Sequence, residues 1–225
     1  MSDDTKKPFD LNMHTARLLM REPFFAALSR RIDKISTTSI PTAGVRVNPD
    51  SAQFELIYNP DFMASLSDTH KQGVLMHEFY HLVFEHVTGR KPADGLKRID
   101  NIAMDLSINC HISNLLPSES NPGPEVNGEA MKACIPGEGL FSELPPNKTY
   151  EWYLEELKKM GEDQEEGGEG KGGAGDPFGN MDSLDSHDDF GEVDGTTQEI
   201  ASERMKEAIK KAADEAEKQR NWGTV

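Results

Sequence analysis

His77-Glu78-Phe79-Tyr80-His81 places two imidazoles four positions apart, with a carboxylate beside the first. On a helix, residues four apart share a face and start about 6 Å from each other, so both imidazoles can reach one zinc ion. Glu78 projects next to such an ion. There its carboxylate can take a proton from a metal-bound water and later pass it to a leaving amine. The chemistry this spacing supports is hydrolysis, and of peptide bonds in particular. Apolar Val74, Leu75 and Met76 lead into the motif, and no Pro or Gly interrupts Val74 to Thr88, so the helical setting is expected.

A catalytic zinc needs a third protein ligand and an open position for water. His86 lies nine residues after His77, half a circumference away on a continuous helix, in a stripe with Leu75, Phe79 and Leu82. It is expected to pack in the core with a hydrogen bond. Asp105 fits the metal better. His81 lies roughly 10 Å along the helix axis from an end near Thr88, and Asp105 roughly 12 Å into a second helix that starts near Lys97. Folded antiparallel about the Gly89–Leu96 loop, the two side chains reach one level. Asn101, Asp105 and Asn109 also form a polar stripe, with Ile99, Ile102, Leu106 and Cys110 on another face. A buried polar stripe needs partners, and a metal site supplies them. The expected metal ligands are therefore His77, His81 and Asp105, with Glu78 as general base. If His86 or Cys110 joined those ligands, the site would be closed by four protein groups, as structural zinc sites are. The chain would then be a non-catalytic zinc-binding assembly or interaction protein.

The elements that must position these residues can be read outward from the motif. Ser67 is an N-cap for a helix from Asp68 to Thr88, stopped by Gly89. The second helix runs from Lys97 to Leu115, before Pro117. Upstream, apolar residues at helical spacing cover Leu11 to Ser36, with Pro23 starting a second helix or kinking the first. Val45 and Val47, the turn signal Asn48-Pro49-Asp50, and Phe54, Leu56 and Tyr58 read as a small hairpin. Phe54 to Tyr58 is a strand that could pair with an extended substrate. Asn59-Pro60 ends the hairpin and opens a short helical turn. Downstream lie an irregular connection rich in Pro, Gly, Ser and Asn, a helix from Thr149 to Met160, and a last helix from Gln198 to Arg220. A Thr196-x-x-Glu199 capping box precedes that last helix, and Ala201, Met205, Ala208 and Ala212 form its apolar stripe. Tyr150 and Tyr153 could reach an oxyanion but are expected to pack. His14, His70 and His111 are expected to be structural or exposed, and His187 to lie off the site.

Composition bounds the partners. The 225 residues carry 24 basic and 40 acidic side chains, a net charge of −16. Gly161 to Gly195 holds 12 of the acidic residues, one lysine and 10 of the 19 glycines. This composition buries too little apolar surface to offset the entropy of ordering. The chain therefore divides into a domain over 1–160, an acidic disordered linker over 161–195 and a C-terminal helix over 196–225. The linker and the last helix are the surfaces expected to meet a protein partner. Nucleic acid is disfavoured by phosphate repulsion. No apolar run approaches a membrane span, and no secretory signal opens the chain. Cys110 and Cys134 form no disulfide framework, which suits the cytoplasm.

The chain resembles the metallopeptidase family usually found N-terminal to a von Willebrand factor A-like domain. The likeness rests on Pro23-Phe24-Phe25, Asn59-Pro60-Asp61-Phe62, His77-Glu78-x-x-His81-x-x-x-x-His86, and Asn101-Ile102-Ala103-x-Asp105-x-x-Ile108-Asn109, with a weaker echo at Tyr150-Glu151-x-Tyr153. It implies a zinc-dependent peptidase domain acting on a protein or peptide, with His77, His81 and Asp105 at the metal and Glu78 as base. No von Willebrand-type domain follows, so the chain reads as a short stand-alone form of phage type, or as a fragment. The expected fold is α+β, a minimal zincin with a small sheet packed on the motif helix and the next helix supplying the third ligand.

Overall fold

In the computed structural model, residues 9, 11–90, 92, 95–126, 129–166 and 193–222 are described. Helices α1 (Leu11–Arg21) and α2 (Pro23–Ser29) are followed by strands β1 (Asp33–Ser36), β2 (Ala43–Val47) and β3 (Phe54–Tyr58). Then come α3 (Pro60–Ser65), the motif helix α4 (Asp68–Val83) and α5 (Arg98–Asn109). A short hairpin, β4 (Glu125–Val126) and β5 (Glu129–Ala130), interrupts the long connection to α6 (Tyr150–Glu166), and α7 is Gly195–Trp222. The fold is α+β: a small mixed sheet with α1, α2, α5 and α7 packed against α4, and α6 against α5.

The sheet order is β1-β3-β2, with β1 parallel and β2 antiparallel to β3. The hairpin turn follows from Asn48, whose Oδ1 accepts from the N–H groups of Asp50 (2.9 Å) and Ser51 (3.0 Å). Two expectations are corrected here. The helical reading to Ser36 overshoots, because the chain leaves α2 after Ser29 and Ile35 pairs with Ile57 in β1. Phe54 to Tyr58 is the central strand, with its backbone paired on both sides, so it has no free edge for a substrate.

Helix α4 packs against β2, α1, α2 and α5. Ser67 caps it, its Oγ accepting from His70 N–H (3.1 Å). Val74, Leu75, Phe79 and Leu82 are each 1 % exposed, and burial of side chains this size contributes about 1.5–3 kcal/mol apiece. Gly73 allows a close approach: a Cβ there would sit 2.3 Å from the carbonyl oxygen of Leu115. Helix propensity alone says that Gly73→Ala should stabilise by about 1 kcal/mol. Overpacking against a backbone carbonyl costs about 1–3 kcal/mol and forces a shift. Gly73→Ala is therefore expected to lower the urea midpoint; a raised midpoint would refute the close packing.

Helix α5 starts on a reciprocal contact in which the Asp100 carboxylate accepts from Lys97 N–H (2.9 Å). It ends at Asn109, earlier than Leu115, and Ser113–Leu115 is a separate 3₁₀ turn. The Tyr150 hydroxyl donates to Asp100 (3.1 Å) and ties α6 to the start of α5. Helix α6 runs to Glu166, six residues into the stretch read as acidic linker; 167–192 lie outside the described residues.

Helix α7 packs along α2 and buries Ala201, Met205 and Ala212. Its cap is Asp194 in place of Thr196. The aspartate accepts from the N–H groups of Thr196 (3.0 Å) and Thr197 (3.1 Å). Arg30 and Arg31 both pair with Glu215. Ion pairs this exposed are screened by solvent and contribute little, so the buried stripe supplies the adhesion of α7. Among the described residues no helix is long and apolar enough to cross a membrane.

Candidate metal centre

The 3.6-residue repeat of α4 carries His77 and His81 onto one face, with ring centroids 4.7 Å apart. Their Nε2 atoms are 3.0 Å apart. Asp105 reaches in from α5, its Oδ1 3.5 Å from each of the two nitrogens. His77 also meets Asn109, so the contacts climb α4 while they descend α5, and the helices run in opposite senses. Among the described residues these three form the group able to hold a metal ion.

The spacing fits a small tetrahedral cation. Ligands at about 2.0–2.1 Å from zinc stand about 3.3–3.4 Å apart at the corners of a tetrahedron, against 3.0, 3.5 and 3.5 Å here. Burial sharpens the case, because His77 and His81 are wholly buried and Asp105 is 2 % exposed. Two imidazoles and a carboxylate out of water need a compensating charge or hydrogen bonds, and a divalent cation provides the charge.

The protonation of His77 follows from its neighbours. Asn109 donates its Nδ2 to the carbonyl of Cys134 (2.9 Å), which turns its Oδ1 towards His77 Nδ1 (2.8 Å). An amide oxygen only accepts, so Nδ1 carries the proton, and in the neutral ring Nε2 keeps its lone pair towards the group. Partners of this kind hold the tautomer and ring angle of metal-binding histidines.

Glu78 is also wholly buried, one residue beyond His77 on the same helix. A carboxylate is kept out of water only at a cost, and such costs concentrate at functional sites.

His86 departs from its expected position. The motif helix ends at Val83, five residues before Thr88, so His86 does not continue it. The chain turns back instead, and His86 Nδ1 lies 3.1 Å from His81 Nδ1, on the far side of that ring from Asp105. His86 is buried and hydrogen-bonded, outside the His77–His81–Asp105 group. Half-buried Cys110 directs its thiol to the carbonyl of Ser107 (3.5 Å).

The remaining candidates are engaged elsewhere. Tyr153 donates to Pro145 O (2.8 Å), and burial pushes its hydroxyl up to about 12. Burial and the Asp100 carboxylate raise Tyr150 still further. His70 is buried and pairs with Asn121 Nδ2 (3.0 Å), and that burial lowers its pKa. His14 stacks on Phe9 and His111 on Tyr80. His187 lies outside the described residues. Asn109 carried no individual assignment from the sequence beyond the polar stripe. Its signal was the i+4 spacing from Asp105.

Fold and site together define a small α+β domain built around three side chains that can hold a metal ion. The chain belongs to the family described as "Putative metallopeptidase domain", whose model matches residues 6–224. Neither a curated protein nor a solved structure matches it.

Proposed function

We propose that this chain is a zinc-dependent peptidase in which His77, His81 and Asp105 hold the metal and Glu78 is the general base. The observation that carries the reading is the convergence of two imidazole nitrogens and one carboxylate oxygen at 3.0–3.5 Å in a buried core. Two nitrogens and one oxygen suit zinc, whereas calcium and magnesium take oxygen donors almost throughout. Bound there, zinc would supply Lewis acidity towards a peptide carbonyl and towards water.

The chain's own residues do the rest. Asn109 holds the His77 ring with Nε2 bare. Asp105 brings one negative charge, which leaves a dication in this set with net positive charge to act on a carbonyl. Glu78 takes the proton of the attacking water and returns it to the leaving amine nitrogen.

The substrate on this reading is a protein or peptide. A chain with 40 acidic and 24 basic residues is a poor partner for nucleic acid. Neither Cys110 nor Cys134 forms a disulfide among the described residues, in keeping with work in a reducing cytoplasm.

One observation favours a second reading. His77, Glu78 and His81 are 0 % exposed, a degree of enclosure that a structural metal also has. In that case zinc would clamp α4 to α5 for a protein partner. Metal analysis combined with a cleavage assay separates the two. The peptidase reading expects about one zinc per chain and cleavage of an unfolded protein that stops on chelation and returns with zinc. A chain that holds its zinc and leaves a broad peptide library intact supports the clamp.

A further inference from the structure

Each metal-binding imidazole has a second nitrogen, and the partner of that second nitrogen decides whether the first is bare. For His77 the partner is Asn109. For His81 it is His86, placed there by the way α4 ends. Glu85 adopts a left-handed conformation at φ 59°, although it is not glycine. Glu85 N–H donates to Leu82 O (3.2 Å) and His86 N–H donates to His81 O (2.9 Å). This pair of bonds is the Schellman closure, which folds the second residue past the cap over the helix's last turn. Apolar residues usually meet across such a closure; here His86 meets His81.

The turn is braced from three sides. Thr88 and Arg90 N–H both donate to Glu85 O (3.1 and 3.0 Å). Gln198 of α7 donates to Thr88 O (2.5 Å), and Arg90 forms a two-pronged pair with Glu151 of α6. The Tyr150 ring lies 5.8 Å from the His86 ring. A strained residue held by this many contacts is the kind of backbone feature that collects at functional sites.

We propose that His86 is a positioning residue whose Nδ1 accepts the Nδ1 proton of His81, leaving His81 Nε2 bare and directed at the metal. The inference rests on the zinc reading above and deepens it. It also requires that the His86 proton sit on Nε2, since two imidazole nitrogens 3.1 Å apart need one donor and one acceptor.

The test measures zinc affinity of the full chain by competition with a chromophoric chelator. His86→Phe keeps a ring but offers no acceptor, and is expected to bind zinc 10–100-fold more weakly. His86→Asn places an amide oxygen near the lost Nδ1 and is expected to restore affinity close to wild type. In the zinc-loaded wild type, nitrogen-15 spectra should show His81 protonated at Nδ1 and His86 at Nε2, a signature that mere packing does not require. If His86→Phe fails to fold, the asparagine variant and the spectra decide. Equal affinity for wild type and His86→Phe overturns the assignment alone. So does an asparagine variant as weak as the phenylalanine one, or a His86 proton on Nδ1. A wild-type chain that takes up no zinc overturns the metal reading, and this assignment with it.

Discussion

Glu78→Gln is expected to leave zinc content unchanged and to slow peptide cleavage by about 10²–10⁴-fold, the usual contribution of a general acid–base group. The amide matches the carboxylate in size and keeps an oxygen acceptor but cannot take a proton. On the proposed reading His77, His81 and Asp105 hold the metal without Glu78, so zinc occupancy and the near-ultraviolet spectrum should match wild type. Replacing a buried carboxylate by a neutral amide also removes a desolvation cost, so thermal stability should hold or rise. The comparison must be made at matched zinc occupancy, because lost metal imitates lost catalysis. Undiminished cleavage by the zinc-loaded variant would remove Glu78 from the mechanism.

Asp105→Ala is expected to lose most of its zinc and, with it, the stabilisation that zinc provides. A ligand present at about 1,000 times its dissociation constant stabilises the native state by about 4 kcal/mol. In a chain this long, 4 kcal/mol corresponds to roughly 10 °C in melting temperature. Melting the wild type with zinc and with chelator should show that gap, and in Asp105→Ala the two curves should coincide. A purely structural role for Asp105 predicts a lower melting temperature with the gap preserved. Full zinc retention by the variant would reopen the place of His86 at the metal.

The grouping of His77, His81 and Asp105 was more legible in the chain than its turns. His77, His81 and Asp105 were readable because helical periodicity is local and the two helices are consecutive neighbours that pack antiparallel. Asp105 emerged from comparing axial rises along two helices, a calculation that tolerates an end moved by a few residues. Indeed α4 stops at Val83 and not at Thr88. The same error mattered for His86, whose placement depends wholly on where the helix ends. Gly89 carried the usual stop signal, but Glu85 made the left-handed turn, and nothing in a glutamate announces that conformation. Strand β1 was hidden because Ile32 and Ile35 also fit a helical stripe. Its partner is β3, some 20 residues on, and pairing at that distance leaves no local trace. The β2–β3 hairpin was legible because Asn48-Pro49-Asp50 encodes its turn. Gly73 read as a mild helix cost and proved to be a contact with the Leu115 backbone, a requirement set from outside its own helix.

The packing of α7 on α2 has a consequence for the protein as it is being made. Leu28 is wholly buried, and Ala201, Met205 and Ala212 belong to the same core. At about 5–20 residues per second, roughly 10–40 s of synthesis separate Leu28 from Ala212. For about the last 5–20 s of that interval, after Asp105, the ribosome carries a nascent chain with His77, His81 and Asp105 already translated but the far side of its core still uncovered. Burial of the α2 face therefore waits for α7 to be translated, and it is there that a nascent-chain chaperone would have apolar surface to hold.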